Sequence, residues 1–304
     1  MGYGKIAIIG AGSLGSTIAY SLILRRVVAE ILLVDISTDI LQGQVLDLSE
    51  AALGTCTIIR AGTFKEAGQA DVILLTADVL KRNEETQLHW AMRSRQLLNS
   101  IIHALLPIQS RAILIICADP VDILTRHLQT IVNLPAQQIF GAGINAMNTA
   151  RARHWVAQMS GSTNDCKVQL YVMGTRQVPV IAWNAALVDG QSVSTIPQLT
   201  VHRPLLEQIL ATDKINEIKE YKGGAWYGHS AFLVQVIEAV LSKEATIHVL
   251  STYTERFDAC ISMPVVLTRK GIKQEVPVPL SPEEQQLLEI AVYQTTKDFE
   301  DTLI

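Results

Sequence analysis

Cysteine is scarce in this 304-residue chain, and its placement excludes two classes of protein. The four cysteines are Cys56, Cys117, Cys166 and Cys260, and no two of them form a Cys-x-x-Cys pair. Sparse, unpaired cysteines argue against a zinc site or a disulfide framework and favour a reducing compartment. The apolar segment 5–9 ends at Gly10 and Gly12, too early for a signal peptide or a membrane span. We therefore predict a cytoplasmic protein.

The chain also lacks an excess of positive charge. Its formal net charge is −4, which gives no electrostatic basis for binding nucleic acid or an anionic membrane. Apolar residues make up 49% of the chain, so it has enough of them to build a large core. Because a soluble monomer rarely exposes large apolar patches, this content also suggests a buried subunit interface. We expect a homodimer or homotetramer.

The first half of the chain alternates short apolar runs with amphipathic stretches. Predicted strands lie at residues 5–9, 31–34, 72–75, 113–116 and 138–140, and predicted helices at 16–25, 38–52, 86–106 and 120–132. Strand–helix alternation is typical of an α/β fold, here a doubly wound parallel sheet of the Rossmann type. From residue 145 onward, helices at about 145–159, 204–221 and 229–241 mix with strands at 245–250 and 259–267. We predict a dinucleotide-binding domain at 1–144 and a mixed α+β substrate domain at 145–304.

A glycine-rich motif, Gly10-Ala11-Gly12-Ser13-Leu14-Gly15, stands between the first predicted strand and the first predicted helix. In this context the glycines permit a tight turn, close approach of a pyrophosphate, and close helix–strand packing. The helix N-terminus attracts the anion. Asp35 ends the second strand, where an acid can bind ribose hydroxyls and repel a 2′-phosphate. The motif predicts NAD(H) in preference to NADP(H); the alternative is a chance glycine turn.

Beyond this motif, the chain resembles the lactate/malate dehydrogenase family over nearly its whole length. The matching segments occur in order at residues 42–48, 76–77, 85–86, 119–125, 141–143, 149–153, 178–180, 222–226 and 263–272. The resemblance implies a nucleotide-binding domain, a mixed substrate domain and a dimer or tetramer. It also completes the predicted cofactor-binding set, which is Gly10, Gly12, Ser13, Leu14, Gly15, Asp35, Thr76 and Ala77.

The catalytic positions of the family are mostly altered in this sequence. The resemblance places the family's carboxylate-binding Arg on Arg151, its proton-donating His on Met173, and the Asp that orients this His on Asn148. It places the loop Arg on Gln87 and the carbonyl-binding Asn on Asp119. Only Arg151 keeps its residue type. Since a thioether cannot transfer a proton, we expect pyruvate and oxaloacetate to be poor substrates.

The altered positions favour a different substrate. An ionised Asp119 would repel a developing alkoxide but stabilise a cationic carbon such as an iminium. Arg151 would still hold a carboxylate, while Met173 with Gly224 and Gly228 suggests a bulkier, more apolar substrate. Each residue also has a simpler interpretation: Asp119 protonated or paired with a Lys or Arg, Arg151 an interface ion pair, and Met173 core filling.

Tyr227 and His229 are candidate replacements for the lost proton donor, although both residue types are also common as packing or capping residues at a helix start. Three hypotheses remain open at this point. The first is an NAD(H)-dependent enzyme with a repurposed site, either an imine or iminium reductase or a redox-neutral cyclase or isomerase. The second is an inactive NAD(H)-binding scaffold. The third is a 2-hydroxy-acid dehydrogenase whose catalytic groups are displaced.

Overall fold

The computed structural model describes residues 4–161, 167–211 and 214–303, so Cys166 lies outside the described residues. The first half contains six strands: β1 (Lys5–Ile9), β2 (Glu30–Val34), β3 (Ile58–Ala61), β4 (Val72–Leu75), β5 (Ile113–Ile116) and β6 (Ile139–Gly141). Five helices alternate with them: α1 (Ser13–Arg25), α2 (Thr38–Ala51), α3 (Phe64–Ala67), α4 (Gln87–Leu105) and α5 (Val121–Ile131).

These six strands form a parallel sheet in the order β3-β2-β1-β4-β5-β6. The chain therefore winds outward from β1 in both directions, as predicted for a doubly wound sheet. Leu74, Ile115 and their neighbours are fully buried because helices cover both faces of the sheet. The carboxyl ends of β1, β4 and β5 consequently open onto the same edge.

The second half extends this sheet with antiparallel strands. Its helices are α6 (Ile144–Ser160), α7 (Pro197–Ala211), α8 (Lys214–Lys222), α9 (Trp226–Leu241) and α10 (Pro282–Asp301). Its strands are β7 (Val168–Gln169), β8 (Val172–Gly174), β9 (Pro179–Ile181), β10 (Leu187–Val188), β11 (Gln191–Ser192), β12 (Thr246–Thr254), β13 (Ala259–Thr268) and β14 (Gly271–Glu275). β12 joins β6, and β13, β8 and β9 follow, while β7, β10 and β11 form a small separate sheet. The division at residue 144 stays a prediction, since the main sheet runs through it.

Several element boundaries differ from the prediction for local reasons. β3 was not expected, because it is an edge strand with only one of its four residues buried and so lacks an apolar run. The helix predicted from Pro204 begins at Pro197 instead, and Pro204 lies inside it. From the sequence alone, either proline could have marked the start of the helix, because a proline in the first helical turn loses no hydrogen bond through its missing N–H. Ser281 caps α10 through a capping box with Glu284.

No helix in the described part of the chain is both long and apolar enough to cross a bilayer.

Candidate active site

A cavity of about 620 Å³ lies at the carboxyl edge of the parallel sheet. All eight residues predicted to bind the cofactor line it, together with Asp119. Its size falls within the range usual for cofactor and substrate sites, roughly 300–1,000 Å³. The adenosine end is marked by Asp35, and the opposite end by Asp119, Trp226 and His229. One cavity thus joins the two sites that the sequence predicts.

The glycine loop is shaped to receive a dinucleotide phosphate. Gly10 has φ +111°, and a Cβ there would lie 2.8 Å from the Ala77 nitrogen, so the turn requires glycine. A Cβ on Gly15 would overlap the Gly10 carbonyl, whereas one on Gly12 would meet nothing within 4 Å. Gly12 therefore faces the opening of the cavity. Because glycine also supplies no side-chain cap, the first N–H groups of α1 are available to an anion.

Asp35 is held rigidly at the far end of this loop. Its Oδ2 accepts a hydrogen bond from the Ala11 N–H at 2.7 Å, and its Oδ1 accepts one from the Ser37 N–H at 2.9 Å. A carboxylate has acceptor sites for about four hydrogen bonds. Asp35 can therefore bind ribose hydroxyls while it connects β2 to the glycine loop. The geometry fits NAD(H).

An ion pair occupies the other end of the cavity. Arg176 Nη1 donates to Asp119 Oδ2 at 2.7 Å, and the two side chains are 27% and 36% exposed. Asp119 follows β5, and Arg176 lies in the turn between β8 and β9. The pairing agrees with the simpler interpretation of Asp119, a carboxylate paired with an arginine, and it places a fixed cation beside that carboxylate.

The turn that carries Arg176 is held by buried hydrogen bonds. Asn145 Nδ2 donates to the carbonyl oxygens of Thr175 at 3.1 Å and Met173 at 3.3 Å. Gly174 has φ +83°, and a Cβ there would come within 2.5 Å of the Val178 carbonyl. Two features therefore fix the backbone before Arg176: the positive φ of Gly174, and the hydrogen bonds from Asn145, which belongs to α6. Asn145 thus positions Arg176 indirectly.

Two further carboxyl groups surround Asp119, and both have raised pKa values. Asp122 is buried; burial, together with the charge of Asp119, raises its pKa to about 7 although Ser251 Oγ donates to it at 2.6 Å. Asp78 lines the cavity, and its side chain is in contact with solvent. The surrounding protein atoms still desolvate the carboxyl group, and this desolvation together with the charge of Asp119 raises its pKa to about 6. Asp119 and Asp78 therefore place two carboxyl groups on the wall of the cavity.

His229 lies in the same cavity wall as Asp119. Its Nε2 lies 3.0 Å from the Ala142 carbonyl oxygen, which can only accept, so Nε2 carries the proton. Desolvation lowers the pKa of His229, against the opposing effects of this hydrogen bond and of the Asp119 charge. The ring is therefore neutral near pH 7, with Nδ1 as its acceptor atom.

Comparison with known proteins decides the family. The model of the lactate/malate dehydrogenase NAD-binding domain matches residues 4–141, and that of the lactate/malate dehydrogenase alpha/beta C-terminal domain matches residues 146–303. The chain belongs to the lactate/malate dehydrogenase family. Its cofactor is NAD(H), in agreement with the cavity lined by the glycine loop and Asp35.

Relatives in the family carry dehydrogenase names. L-lactate dehydrogenase A of Rhizopus oryzae is 35% identical over 94% of this chain and 89% of its own length. L-lactate dehydrogenase of Staphylococcus epidermidis is 28% identical over 98% of this chain and 96% of its own. Among solved structures, a lactate dehydrogenase from a Medee basin deep-sea metagenome library has a TM-score of 0.93 at 22% identity, with both chains covered completely. Malate dehydrogenase from Salinibacter ruber has a TM-score of 0.86 at 23% identity, over 98% of this chain and 97% of its own. These structures share the fold.

Met173 is a core residue and does not line the cavity. It is fully buried in a core cluster with Val180, Ile261 and Leu288, and it is not among the residues lining the cavity. As a residue of β8 its side chain is fixed by sheet packing, whereas Arg176, beyond the strand end, contacts Asp119 on the cavity wall. The expectation that Met173 enlarges the pocket is therefore corrected. The signal that sequence reasoning missed was the first charged residue after the strand.

Arg151 and Asn148 lie together on α6. Arg151 Nη1 donates to Asn148 Oδ1 at 2.8 Å. The cavity wall includes Met147, one helical turn before Arg151 on the same face of the helix. Arg151 is therefore held by Asn148 one helical turn from the cavity wall.

Gln87 lies at the first turn of α4 and accepts a hydrogen bond from Lys81 Nζ at 3.2 Å. Residues 78–86, called here the active-site loop, are held against α4 by two side chains of that helix. Arg93 binds Glu85 through two nitrogens at 2.7 and 2.8 Å, and Trp90 Nε1 donates to the Val79 carbonyl at 2.6 Å. Gln87 itself does not line the cavity in this conformation.

Tyr227 lies outside the cavity that holds Asp119. Its side chain is 71% exposed and lines a separate groove with Tyr20 and Leu24, under the Lys222 ammonium at 3.7 Å. Its side chain, at the start of α9, points into that groove and not into the cavity, so Tyr227 is not placed to serve as the replacement proton donor. Gly224 does not open space either, because a Cβ there would lie 2.6 Å from Trp226 Nε1. The indole already fills that volume.

Proposed function

We propose that this chain is an NAD(H)-dependent oxidoreductase that reduces a carbon–nitrogen double bond, an imine or iminium, rather than a 2-keto acid. The observation that carries the proposal is the Asp119–Arg176 ion pair at the substrate end of the cofactor cavity. NADH supplies a hydride when bound, and the remaining chemistry depends on the residues around the acceptor carbon. Reduction of a ketone needs a proton donor there, while an iminium already carries its proton.

The residues at the substrate end support this choice. An arginine keeps its protons at all accessible pH values, so Arg176 cannot act as the general acid. His229 is neutral, and its one N–H is engaged by Ala142. Asp119 and Asp78 place carboxyl groups on the cavity wall. A carboxylate beside the acceptor carbon stabilises positive charge and opposes a developing alkoxide.

A second candidate is a 2-hydroxy-acid dehydrogenase with displaced catalytic groups. The relatives named L-lactate dehydrogenase favour it, as does the retained Arg151. In that case Asp78 would be the proton donor, because it lines the cavity and its pKa is raised to about 6, near the optimum for a general acid. Arg176 would then polarise the carbonyl.

Consumption of NADH with three acceptors separates the candidates. We expect 1-pyrroline, a cyclic imine, to be reduced, and pyruvate and oxaloacetate to be turned over far below the ordinary range of about 1–10³ s⁻¹. Asp119→Asn should slow reduction of the imine by about 10²–10³-fold, the loss typical for one well-placed electrostatic group. NADH affinity, measured by calorimetry, should stay unchanged in this variant.

Asp258→Asn is the matched control, since Asp258 also pairs with an arginine, Arg126, at 3.0 Å but outside this cavity. Ordinary turnover of pyruvate that is lost in Asp78→Asn would establish the dehydrogenase instead. NADH binding with no consumption of NADH in any assay would contradict both candidates and favour the redox-neutral or inactive alternative.

A further inference from the structure

We propose that the Asp119–Arg176 pair is a two-pole receptor for a zwitterionic substrate, a 2-imino acid in its protonated form. The iminium N–H would donate to Asp119, and the adjacent carboxylate would bind the guanidinium of Arg176. This inference rests on the proposed function and deepens it by naming the substrate class. Arg151, one turn beyond Met147 on α6, would add a second cation near the carboxylate.

The two poles are built from different elements and held independently. Asp119 stands between β5 and α5, at the sheet edge where α/β folds bind ligands. Arg176 stands on the β8–β9 turn, which Asn145 holds through two hydrogen bonds and Gly174 shapes by its positive φ. Pre-organised poles give directional recognition, because little entropy is lost when a ligand engages them.

The charge balance of the pair selects the ligand. The Arg176–Asp119 contact at 2.7 Å joins two side chains that are 27% and 36% exposed, and Asp119 lines the cavity. A ligand with only an anion would compete with Asp119 for the guanidinium, and one with only a cation would compete with Arg176 for the carboxylate. A ligand that carries both charges on neighbouring atoms compensates both poles together. A guanidinium has five N–H donors and a carboxylate about four acceptor sites, so both can bind the ligand and each other.

The reaction on this substrate balances without an added acid. A hydride from NADH forms the new C–H bond at the imine carbon, the π bond of C=N⁺ breaks, and its electron pair becomes the nitrogen lone pair. NADH is oxidised to NAD⁺, and the iminium is reduced to a secondary amino acid. Asp119 stabilises the cation before transfer, and Arg176 with Arg151 holds the carboxylate, so each has a role distinct from proton transfer.

Binding to the NADH-loaded protein tests the receptor without turnover. Calorimetry should be run with three probes: proline, which carries both charges, pyrrolidine, which is only a cation, and lactate, which is only an anion. We expect proline to bind about 10–100-fold more tightly than either, the range for one additional charge-assisted hydrogen bond. Equal affinity of pyrrolidine and proline would overturn the two-pole receptor and leave the imine reductase standing.

Variants identify the poles. Arg176→Gln should remove the preference for proline over pyrrolidine, and Arg176→Lys should retain part of it, which keeps the test informative if the glutamine variant folds poorly. Arg126→Gln is the matched control. Arg126 is also 27% exposed and pairs with an aspartate, Asp258, at a distance of 3.0 Å, and this pair lies outside the cavity. A preference for proline that survives Arg176→Gln would overturn the assignment.

Turnover measurements distinguish the two-pole receptor from the proposed imine reductase activity on which it rests. With 1-pyrroline-2-carboxylate and 1-pyrroline as paired acceptors, Arg176→Gln should raise KM for the first and leave KM for the second unchanged. If both acceptors respond equally, the two-pole receptor is wrong while imine reduction stands. If neither is reduced and pyruvate is, the proposed function fails, and weak binding of proline would then reject the receptor as well.

Discussion

Asp119 and Asp122 lie three residues apart, yet the fold gives them opposite environments. Asp119 faces the cavity and is paired with Arg176, whereas Asp122 is 8% exposed and, within the described part of the chain, accepts a hydrogen bond from the Ser251 hydroxyl alone. Asp119 precedes α5, and Asp122 lies in the first turn of that helix. The Asp119 side chain therefore points toward the cavity and the Asp122 side chain toward the core. Neighbouring carboxylates can therefore serve different purposes, one in recognition and one in the response to pH.

Asp122 should make the stability of the protein fall as the pH rises. Its folded-state pKa is raised to about 7, above the unfolded value, so the folded state binds its proton more tightly. The stabilising contribution is complete below about pH 4 and lost as the pH passes through about 7. Urea unfolding of Asp122→Asn and the parent chain should show the variant gaining about 3 kcal/mol relative to the parent between about pH 5 and pH 8. Parallel pH curves would contradict this.

Asp35 should decide between the two nicotinamide cofactors. Its carboxylate is fixed by the Ala11 and Ser37 N–H groups beside the glycine loop. Asp35→Ala should weaken NADH by about tenfold, since a hydrogen bond to a charged group contributes roughly 1.5–3 kcal/mol. NADPH should be affected less, because the repulsion of its 2′-phosphate disappears. Calorimetry measures both, with the exposed Asp39→Ala as control; an equal loss for both cofactors would refute the assignment.

At the scale of elements, the β8–β9 turn depends on one buried amide. Asn145→Ala would leave the carbonyls of Met173 and Thr175 without their donor, at a cost of about 1–3 kcal/mol. Because the turn also carries Arg176, the variant should lose affinity for a carboxylate ligand beyond its loss of stability. Thermal unfolding and calorimetry with proline measure the two effects.

Asn184→Ala is the matched control for that variant, since Asn184 also donates to a backbone carbonyl, that of Pro279, but far from the cavity. A variant of Asn145 that lost stability yet bound proline normally would show that the turn does not position Arg176.

The active-site loop is a second element whose position rests on side chains from α4. Arg93 holds Glu85 through two hydrogen bonds and reaches the Leu80 carbonyl at 2.9 Å. Arg93→Gln should release the loop and raise the hydrogen-exchange rates of residues 78–86, with a higher KM for the acceptor. Arg203→Gln, which breaks an exposed i,i+4 pair with Glu207, should leave exchange in the loop unchanged. Unchanged loop exchange in Arg93→Gln would show that other contacts hold it.

At the scale of the whole molecule, one exposed face argues for self-association. The groove between α1, α2 and the start of α9 is lined by Tyr20, Leu24 and Tyr227, which are 46%, 59% and 71% exposed. Exposed apolar patches of this kind mark interaction surfaces. We predict a dimer, and Leu24→Glu should shift it toward monomer in light scattering at micromolar concentration. A parent chain that is monomeric there would contradict the prediction.

Much of the cofactor half could be predicted because its signals are local. Gly10, Gly12, Gly15 and Asp35 act through backbone conformation and strand position, and these follow from residues close in the sequence. The substrate end was less predictable. Arg176 and Asp119 are 57 residues apart, and nothing near either residue indicates their contact. The burial of Met173 in a core cluster also depends on distant residues, among them Ile261 and Leu288.

The sequence by itself determined the doubly wound sheet and the NAD(H) motif, because periodicity and short motifs are encoded by neighbouring residues. Only the tertiary structure decided which charged groups face one another. It placed Arg176 against Asp119, buried Asp122 beside Ser251, and turned Tyr227 to the outer face. These outcomes depend on how distant strands and helices pack, and the electrostatic energy of each pair depends on a separation and a burial that exist only in the folded chain.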